Sequence, residues 1–394
     1  MISFDDAAAL ISKEAHALGT ECIPLEHADG RILANPAIAR RSSPPTLVSA
    51  MDGYAVRDAD VAHGSVSLKI AGKSFAGGNF NQPLLPGTCV RIFTGAPAPA
   101  GTDRVIMQED VRENEGFAMI ADAVTGRRHL RRPGSDFAEG DVIVPARCRL
   151  TPQHLVGIAA ADIAAVEVFS KPKVAILCCG DELTEPGKPN RPAGSIPESI
   201  SFGVSALIRR WGGQIVKRLR CRDDLGLLRN VATDLAAIAD VVIIIGGASV
   251  GERDFAKLAF APLGLELAFS KVAIKPGKPV WFGRAGKTLV VGLPGNPSSA
   301  LVTARLFVVP LIAGLSGGRS NEALDFQMMR TSVAIECCPD RDVFARATLR
   351  GRLAIPLSDQ DSASQKALAA ATHLIRRRQT AAPGAETLVE TLVL

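Results

Sequence analysis

The chain has 394 residues, which at roughly 150 residues per domain implies about two to four domains. Apolar residues make up 47% and charged residues 22%, enough to build full cores, which excludes bulk disorder. The net charge of +5 is too mild to argue for nucleic acid and fits a protein that handles anions in local pockets.

In chain order, Ser3 can cap a helix, with Asp6 three residues on and Leu10, Ile11, Ala15 and Leu18 near helical spacing. Residues 3–18 therefore read as an amphipathic helix. The opening Met1-Ile2-Ser3-Phe4-Asp5-Asp6 is acidic, unlike a signal or transit peptide. Residues 25–130 switch to short runs punctuated by Gly and Pro, among them 67–71, 89–94, 103–109 and 117–120, and read as a β-rich domain. Thr151-Pro152 opens a further helix as cap and first helical residue. Residues 1–24 and 131–170 are assigned together to a helical, mixed N-terminal domain.

After Lys171-Pro172-Lys173 strands and helices alternate. Strands are predicted at 174–178, 214–219, 241–245 and 288–291, and helices at 199–211, 224–239 and 298–313. This rhythm predicts a doubly wound, mostly parallel α/β domain over 171–322. Residues 323–394 return to short strands and read as a small C-terminal β domain. The fold class is α/β plus β in a multidomain chain. No apolar run reaches the roughly 18 residues that span a bilayer, since 301–315 is broken by Arg305 and Pro310, and no membrane partner is expected. The eight cysteines include the adjacent pairs Cys178-Cys179 and Cys337-Cys338 but no CxxC, and the six histidines are scattered. A reduced, cytoplasmic setting is expected, with neither a disulfide framework nor a zinc site.

Ligands of an open α/β sheet bind beyond the carboxyl ends of its strands. Three such ends stand out here: Gly180-Asp181-Glu182, Gly246 to Gly251 followed by Asp254, and Gly292 to Ser298. Glycine turns and helix N-termini bind anions, and Asn296 with Pro297 is placed to start a helix there, so a phosphate-bearing ligand is favoured over plain tight turns. Asp181, Glu182, Asp223, Asp224 and Asp254 either hold a hard cation such as Mg²⁺ beside that phosphate or cap helices. Lys271, Lys275 and Lys278 lie in an apolar stretch and either meet anions or guard an edge strand. The cluster Arg127 to Arg132 reads as a solvated turn or an anion clamp, with too few aromatics for a nucleic-acid platform. Asp52-Gly53 reads as a hairpin turn on composition alone.

In this order, Ser49 to Val56, Thr94-Gly95-Ala96-Pro97, Gly180 to Leu183, Gly246 to Gly251 with Asp254, Lys275-Pro276-Gly277-Lys278-Pro279 and Gly292 to Pro297 form a specific set. Together they resemble the MoeA/gephyrin-type molybdopterin molybdenumtransferases over essentially the whole chain. The resemblance implies an elongated four-domain subunit in a homodimer. It implies an enzyme that takes adenylylated molybdopterin and molybdate, uses Mg²⁺, inserts molybdenum at the dithiolene and releases AMP. Catalytic roles are implied for Asp52, Thr94, Glu182, Asp223, Asp254, Lys271 and Lys275, with Asp223 and Asp254 on Mg²⁺. Substrate binding falls to Asp181, Gly246, Gly247, Ser249, Gly251, Lys278, Pro294, Gly295, Asn296, Pro297, Arg131, Asp136 and Ser362. Asp52 and Thr94 match residues of the β-rich half that are expected to serve the site from the other subunit.

Several positions depart from the family pattern. Cys179 stands where a threonine is usual, Ile196-Pro197-Glu198-Ser199-Ile200 where Ile-Tyr-Asp-Ser-Asn is common, and Gln360-Asp361-Ser362-Ala363 where Gln-Gly-Ser-Gly is common. Pro133-Gly134-Ser135-Asp136 replaces a Gly-Glu-Asp element. These changes motivate the alternative of a catalytically weakened pterin carrier, or a scaffold for other cofactor-assembly proteins.

Overall fold

A computed structural model describes residues 1–394 except Asn79, Thr125, Asn190, Arg191, 248–254, Ser332, Ala334, Glu336, Cys337 and 380–387. The chain forms two compact units, one of residues 22–29 and 35–166, the other of residues 1–21, 30–34 and 167–394.

In the first unit the short runs separated by turns pair into one six-stranded sheet. Its spatial order is Arg104–Met107, Gly53–Val56, Thr88–Ile92, Val66–Ser74, Phe117–Ile120 and Val111–Asn114. Alternate residues bury opposite faces, Tyr54 and Val56 on one side and Ala55, Val90 and Ile92 on the other. The sheet thereby carries a core on each side, as the period-two patterning requires.

In the second unit the predicted strands lengthen slightly to Lys173–Cys179, Gln214–Cys221, Val241–Ile245 and Thr288–Leu293. They are mutually parallel, with Lys173–Cys179 between Gln214–Cys221 and Val241–Ile245, and Thr288–Leu293 beyond. Two further strands, Trp281–Ala285 and Leu265–Phe269, extend the sheet by antiparallel pairing and were not read from the sequence. Trp281 fits because it faces Gly292, where any Cβ would overlap the indole. Val174, Ile176, Ile243 and Val291 face one core, and Ala175, Leu177, Val242, Ile244 and Val290 face the other. Burial of both faces explains the nearly unbroken β-branched runs.

Helix Ile200–Arg210 and the 19-residue helical run Pro297–Leu315 contribute to the first core, and Leu225–Ile238 with Phe255–Phe260 to the second. Asp224 caps Leu225–Ile238 as expected, its Oδ1 accepting the Leu227 N–H at 2.7 Å. The helix expected over 298–313 runs from Pro297 to Leu315, and its apolar window is longer than the sequence suggested. By length and composition it could cross a membrane, yet 94% of its apolar window is buried in the protein. It passes Pro310 through a widened π turn over Ala304–Val308, which relieves the crowding a proline causes against the carbonyl four residues back. Arg305 stays inside by donating Nε to the Val393 carbonyl (2.7 Å) and Nη1 to the Ala323 carbonyl (2.8 Å). Burial pulls its pKa down to about 10.

Beyond this run the chain closes a five-stranded barrel. Asp342–Arg350 pairs with both Leu353–Pro356 and His373–Arg377, and Leu388–Val393 with Gln327–Thr331 completes the ring. The N-terminal helix Phe4–Glu14, capped by Ser3 as expected, lies in this second unit. Its buried face (Phe4, Ala7, Ile11) joins the core of the α/β sheet. Phe4 sits 5.0 Å from the Phe344 ring and 5.9 Å from the Phe307 ring, with the Arg376 guanidinium 4.5 Å above it. Arg376 is buried and pairs with Asp342 (2.6 Å) and Asp5 (2.9 Å). Phe4→Ala is expected to lower stability by about 3–5 kcal/mol, because it empties an aromatic site and removes the nearest of the three rings around a buried arginine. A urea midpoint unchanged from wild type would contradict this assignment.

Candidate functional site

The carboxyl ends of Lys173–Cys179, Val241–Ile245 and Thr288–Leu293 open on one cavity of about 620 Å³. Cys178, Cys179, Gly180 and Glu182 line it from the first strand end, Gly246 and Gly247 from the second, and Pro294, Gly295, Asn296 and Pro297 from the third. Asp223 lines it from the loop before Leu225–Ile238. Asp181 is beside it, its Oδ1 accepting the Asp223 N–H at 3.2 Å. Asp181 and Glu182 also border a polar recess of about 650 Å³ with Lys188, Arg220 and Arg222. Gly246 has φ +85°, and a Cβ there would lie 2.6 Å from the Cys179 carbonyl oxygen, so the turn requires glycine.

A second cavity, of about 860 Å³, adjoins the first at Pro279. It is lined by Lys275, Lys278, Arg341 and Ser362 over an apolar floor that includes Ile274, Val343 and Leu357. Lys275 is positioned there because Ile274–Lys275 pairs with Asp342 and Val343 of the barrel. Lys271 lines neither cavity. It is exposed, and its carbonyl accepts the Ile2 N–H.

Pro297 begins its helix as expected, but Asn296 does not cap it with its side chain. Asn296 instead donates Nδ2 to Ser362 Oγ (3.0 Å), and the Ser298 N–H goes to the Ser362 carbonyl (3.0 Å). One of the helix's first N–H groups is thus taken by the loop near 362. Arg346 explains why that loop lies there. It is almost fully buried and donates to Ser298 Oγ (2.6 Å) and to the carbonyls of Asp359, Asp361 and Ser364. Sequence reasoning missed Arg346 because it sits inside an ordinary strand run. Asp361, which the sequence placed as added negative charge, accepts the Ala363 N–H at 2.8 Å.

Where the family pattern changes, Glu198 is buried and accepts from Ser201 N (2.8 Å) and Ser201 Oγ, with Arg218 at 3.6 Å. Burial pushes the Cys178 and Cys179 thiols well above their ordinary pKa, so both remain protonated. The seven described cysteines are free thiols. Among the described residues no three His, Cys, Asp or Glu side chains converge on a metal-sized point. Ser249, Gly251 and Asp254 lie outside the described residues.

In the other unit Asp52 and Thr94 are in direct contact. Thr94 donates both N–H and Oγ1 to Asp52 Oδ1 at 2.7 Å. The backbone bond, the hydroxyl bond and the nearby Arg91 charge hold the Asp52 carboxyl below its ordinary pKa. Leu130–Arg131 pairs with Val48–Ser49, Arg131 facing Val48, four residues before Asp52 and five before the strand that Gly53 begins. Asp136 is exposed, and its N–H donates to the Ser43 carbonyl.

An α/β sheet with glycine turns and acids at its strand ends and an adjoining lysine-lined cavity against a closed barrel, in a chain that also carries a β-rich unit, defines a multidomain protein suited to binding anions. Residues 2–161 match the MoeA N-terminal region (domain I and II), and residues 175–314 match the probable molybdopterin binding domain. A molybdopterin molybdenumtransferase from Haemophilus influenzae is 42% identical over 306 residues, covering 76% of this chain and 73% of that protein. One from Nostoc is 35% identical over 305 residues, covering 76% and 70%. A crystal structure of the molybdopterin biosynthesis MoeA protein from Pyrococcus horikoshii superposes with a TM-score of 0.85 at 29% identity, covering 100% of this chain and 99% of that one. This chain belongs to the molybdopterin molybdenumtransferase family.

Two measurements check this geometry. Gly246→Ala is expected to cost about 1–3 kcal/mol, since φ +85° and the Cys179 carbonyl both oppose a methyl group; a thermal midpoint equal to wild type would contradict it. Thr94→Val removes the hydroxyl donor and keeps the backbone donor. The Asp52 pKa is then expected to rise toward its ordinary 3.8, so the carboxyl protonates at higher pH than in wild type, as carboxyl-carbon NMR titration would register.

Proposed function

We propose that this chain is a molybdopterin molybdenumtransferase that accepts adenylylated molybdopterin and molybdate, inserts molybdenum at the dithiolene sulfurs and releases AMP. The observation that carries this reading is a cavity at the strand ends with a second adjoining it at Pro279, against the barrel. One is lined by glycine turns and the acids Glu182 and Asp223, the other by Lys275 and Lys278. Backbone N–H groups of the glycine turns suit phosphate oxygens. The lysines suit an oxyanion, and holding molybdate close to the dithiolene makes insertion effectively intramolecular.

The carboxylate oxygens of Glu182 and Asp223 are the donor type that Mg²⁺ takes. Mg²⁺ is commonly bound by one or two carboxylates, with substrate phosphate and water completing its shell, so the absence of a three-ligand cluster among the described residues is compatible with it. Asp223 would hold the ion, with Asp254 proposed as its partner. When bound, Mg²⁺ neutralises charge on the phosphoanhydride as it breaks. The chain need supply no nucleophile: its residues bind, orient and neutralise, while a water molecule or an oxygen of the bound molybdate forms the new bond to the adenylyl phosphorus as the bond to the bridging oxygen breaks, so that AMP and the molybdopterin phosphate separate. We further propose that the protein acts as a homodimer in a reducing cytoplasm, which light scattering of the purified protein checks for the dimer.

Single-turnover release of AMP from adenylylated molybdopterin, with and without molybdate, tests the activity. Asp223→Asn is expected to slow release by about 10²–10³-fold while substrate still binds. A wild-type protein that binds the substrate and never releases AMP would favour the carrier alternative.

A further inference from the structure

We propose that Cys179 and Cys221 are a reversible thiol–disulfide pair, oxidised by a small hydroperoxide to a bond that ties together the two acid-bearing loops at the strand-end cavity. This goes beyond the transferase reading, and no substrate is needed to test it.

Strands Lys173–Cys179 and Gln214–Cys221 run parallel and end together, with Cys179 directly opposite Cys221. Opposite residues of neighbouring strands project from the same face of a sheet. Both side chains accordingly join one core cluster, whereas Cys178 joins the core on the other face. Both thiols are free. Neighbouring strands lie about 4.7–4.9 Å apart, inside the roughly 4.4–6.8 Å that separates the Cα atoms of a disulfide. The β-carbons must still come within about 3.5–4.5 Å. Gln214–Cys221 has room for that approach, because it is an edge strand of its sheet and Cys221 is its last residue. A bond that draws two strands together is strained and easily reduced, which suits a regulatory disulfide and not a structural one.

Each cysteine borders a space that admits a small oxidant. Cys179 lines the 620 Å³ cavity with Glu182 and Asp223, and Cys221 lines the 650 Å³ polar recess with Arg220 and Arg222. Cys179 leads directly into Gly180-Asp181-Glu182, and Cys221 into Arg222-Asp223. The two loops already touch, the Asp223 N–H donating to Asp181 Oδ1 at 3.2 Å. A bond between the sulfurs therefore fixes the spacing of Glu182 and Asp223 across the cavity. With hydrogen peroxide the chemistry has two steps. The Cys221 sulfur bonds to one peroxide oxygen, the O–O bond breaks, and the other oxygen leaves as water with the thiol proton. The Cys179 sulfur then displaces the hydroxyl of this sulfenic acid, which leaves as water with the Cys179 proton. Two electrons pass from the sulfurs to the peroxide. Burial slows the first step, so the pair responds to excess peroxide, after the exposed Cys22 has reacted.

The test is hydrogen peroxide treatment of the purified full-length protein, followed by blocking of free thiols in denaturant and a non-reducing digest read by mass spectrometry. Oxidation of Cys22 marks an effective dose. At that dose and above, Cys179 and Cys221 are expected to leave the free-thiol pool together, in one peptide pair lighter by two hydrogens than its parts. Dithiothreitol should return both. Cys178→Ala should form the same link, and Cys221→Ser should leave no peptide joined to Cys179. Amide exchange of the oxidised wild type should slow at residues 180–182 and 222–223 and recover on reduction. Complete oxidation of Cys22 in excess peroxide with Cys179 and Cys221 both still free overturns the pair. A link from Cys179 to Cys178, or to a second chain, overturns it as well. A Cys179–Cys221 link that leaves exchange in both loops unchanged overturns the coupling to the cavity.

Discussion

Parallel pairing of the four strands Gln214–Cys221, Lys173–Cys179, Val241–Ile245 and Thr288–Leu293 is the constraint on which the α/β unit depends. Parallel neighbours need crossover connections, and the crossovers lay helices on both faces of the sheet. Both faces are then closed to ligands. What stays open is the edge where the strands stop, so Glu182, Gly246, Gly247 and the Pro294 to Pro297 turn converge there without being close in sequence.

That edge is completed by parts far away along the chain. Arg346 of the barrel spends its donors on Ser298 and three carbonyls, and so fixes the loop whose Ser362 carbonyl takes the Ser298 N–H. A buried guanidinium is costly unless every donor is matched, and the match defines where the loop must lie. The Phe4–Arg376 junction does the same for the N-terminal helix. Arg376 reaches Asp5, 371 residues away in sequence, while its face covers Phe4. Helix, α/β sheet and barrel thereby share one continuous core.

The β-rich unit uses different means. Its Asp52–Thr94 pair follows from the pairing of Gly53–Val56 with Thr88–Ile92, and the Phe93–Phe75 stack from the parallel pairing of Val66–Ser74 with the other side of Thr88–Ile92. Residues two apart on Thr88–Ile92 and just beyond it point to one face, so a charge, a ring and a carboxylate meet within one surface patch.

The sequence by itself determined what depends on neighbours a few residues apart. The strand–helix alternation after 171 followed from hydrophobic period, the Ser3 and Asp224 caps from local side-chain bonding, and Gly246 from a turn that no side chain fits. The motifs around Glu182, Gly246 and Asn296 placed one real cavity. Tertiary structure decided what depends on partners far along the chain. It added Leu265–Phe269 and Trp281–Ala285 to the sheet as an antiparallel pair, which short apolar runs do not announce. It left Lys271 outside both cavities while Ile274–Lys275 was drawn to the second by pairing with the barrel. It buried Arg305 inside the helix expected over 298–313, because Val393 and Ala323 supply carbonyls to the arginine, and a π turn makes room near the proline. A buried charge looks like a helix breaker or a surface residue until its acceptors are known, and those acceptors are chosen by the fold.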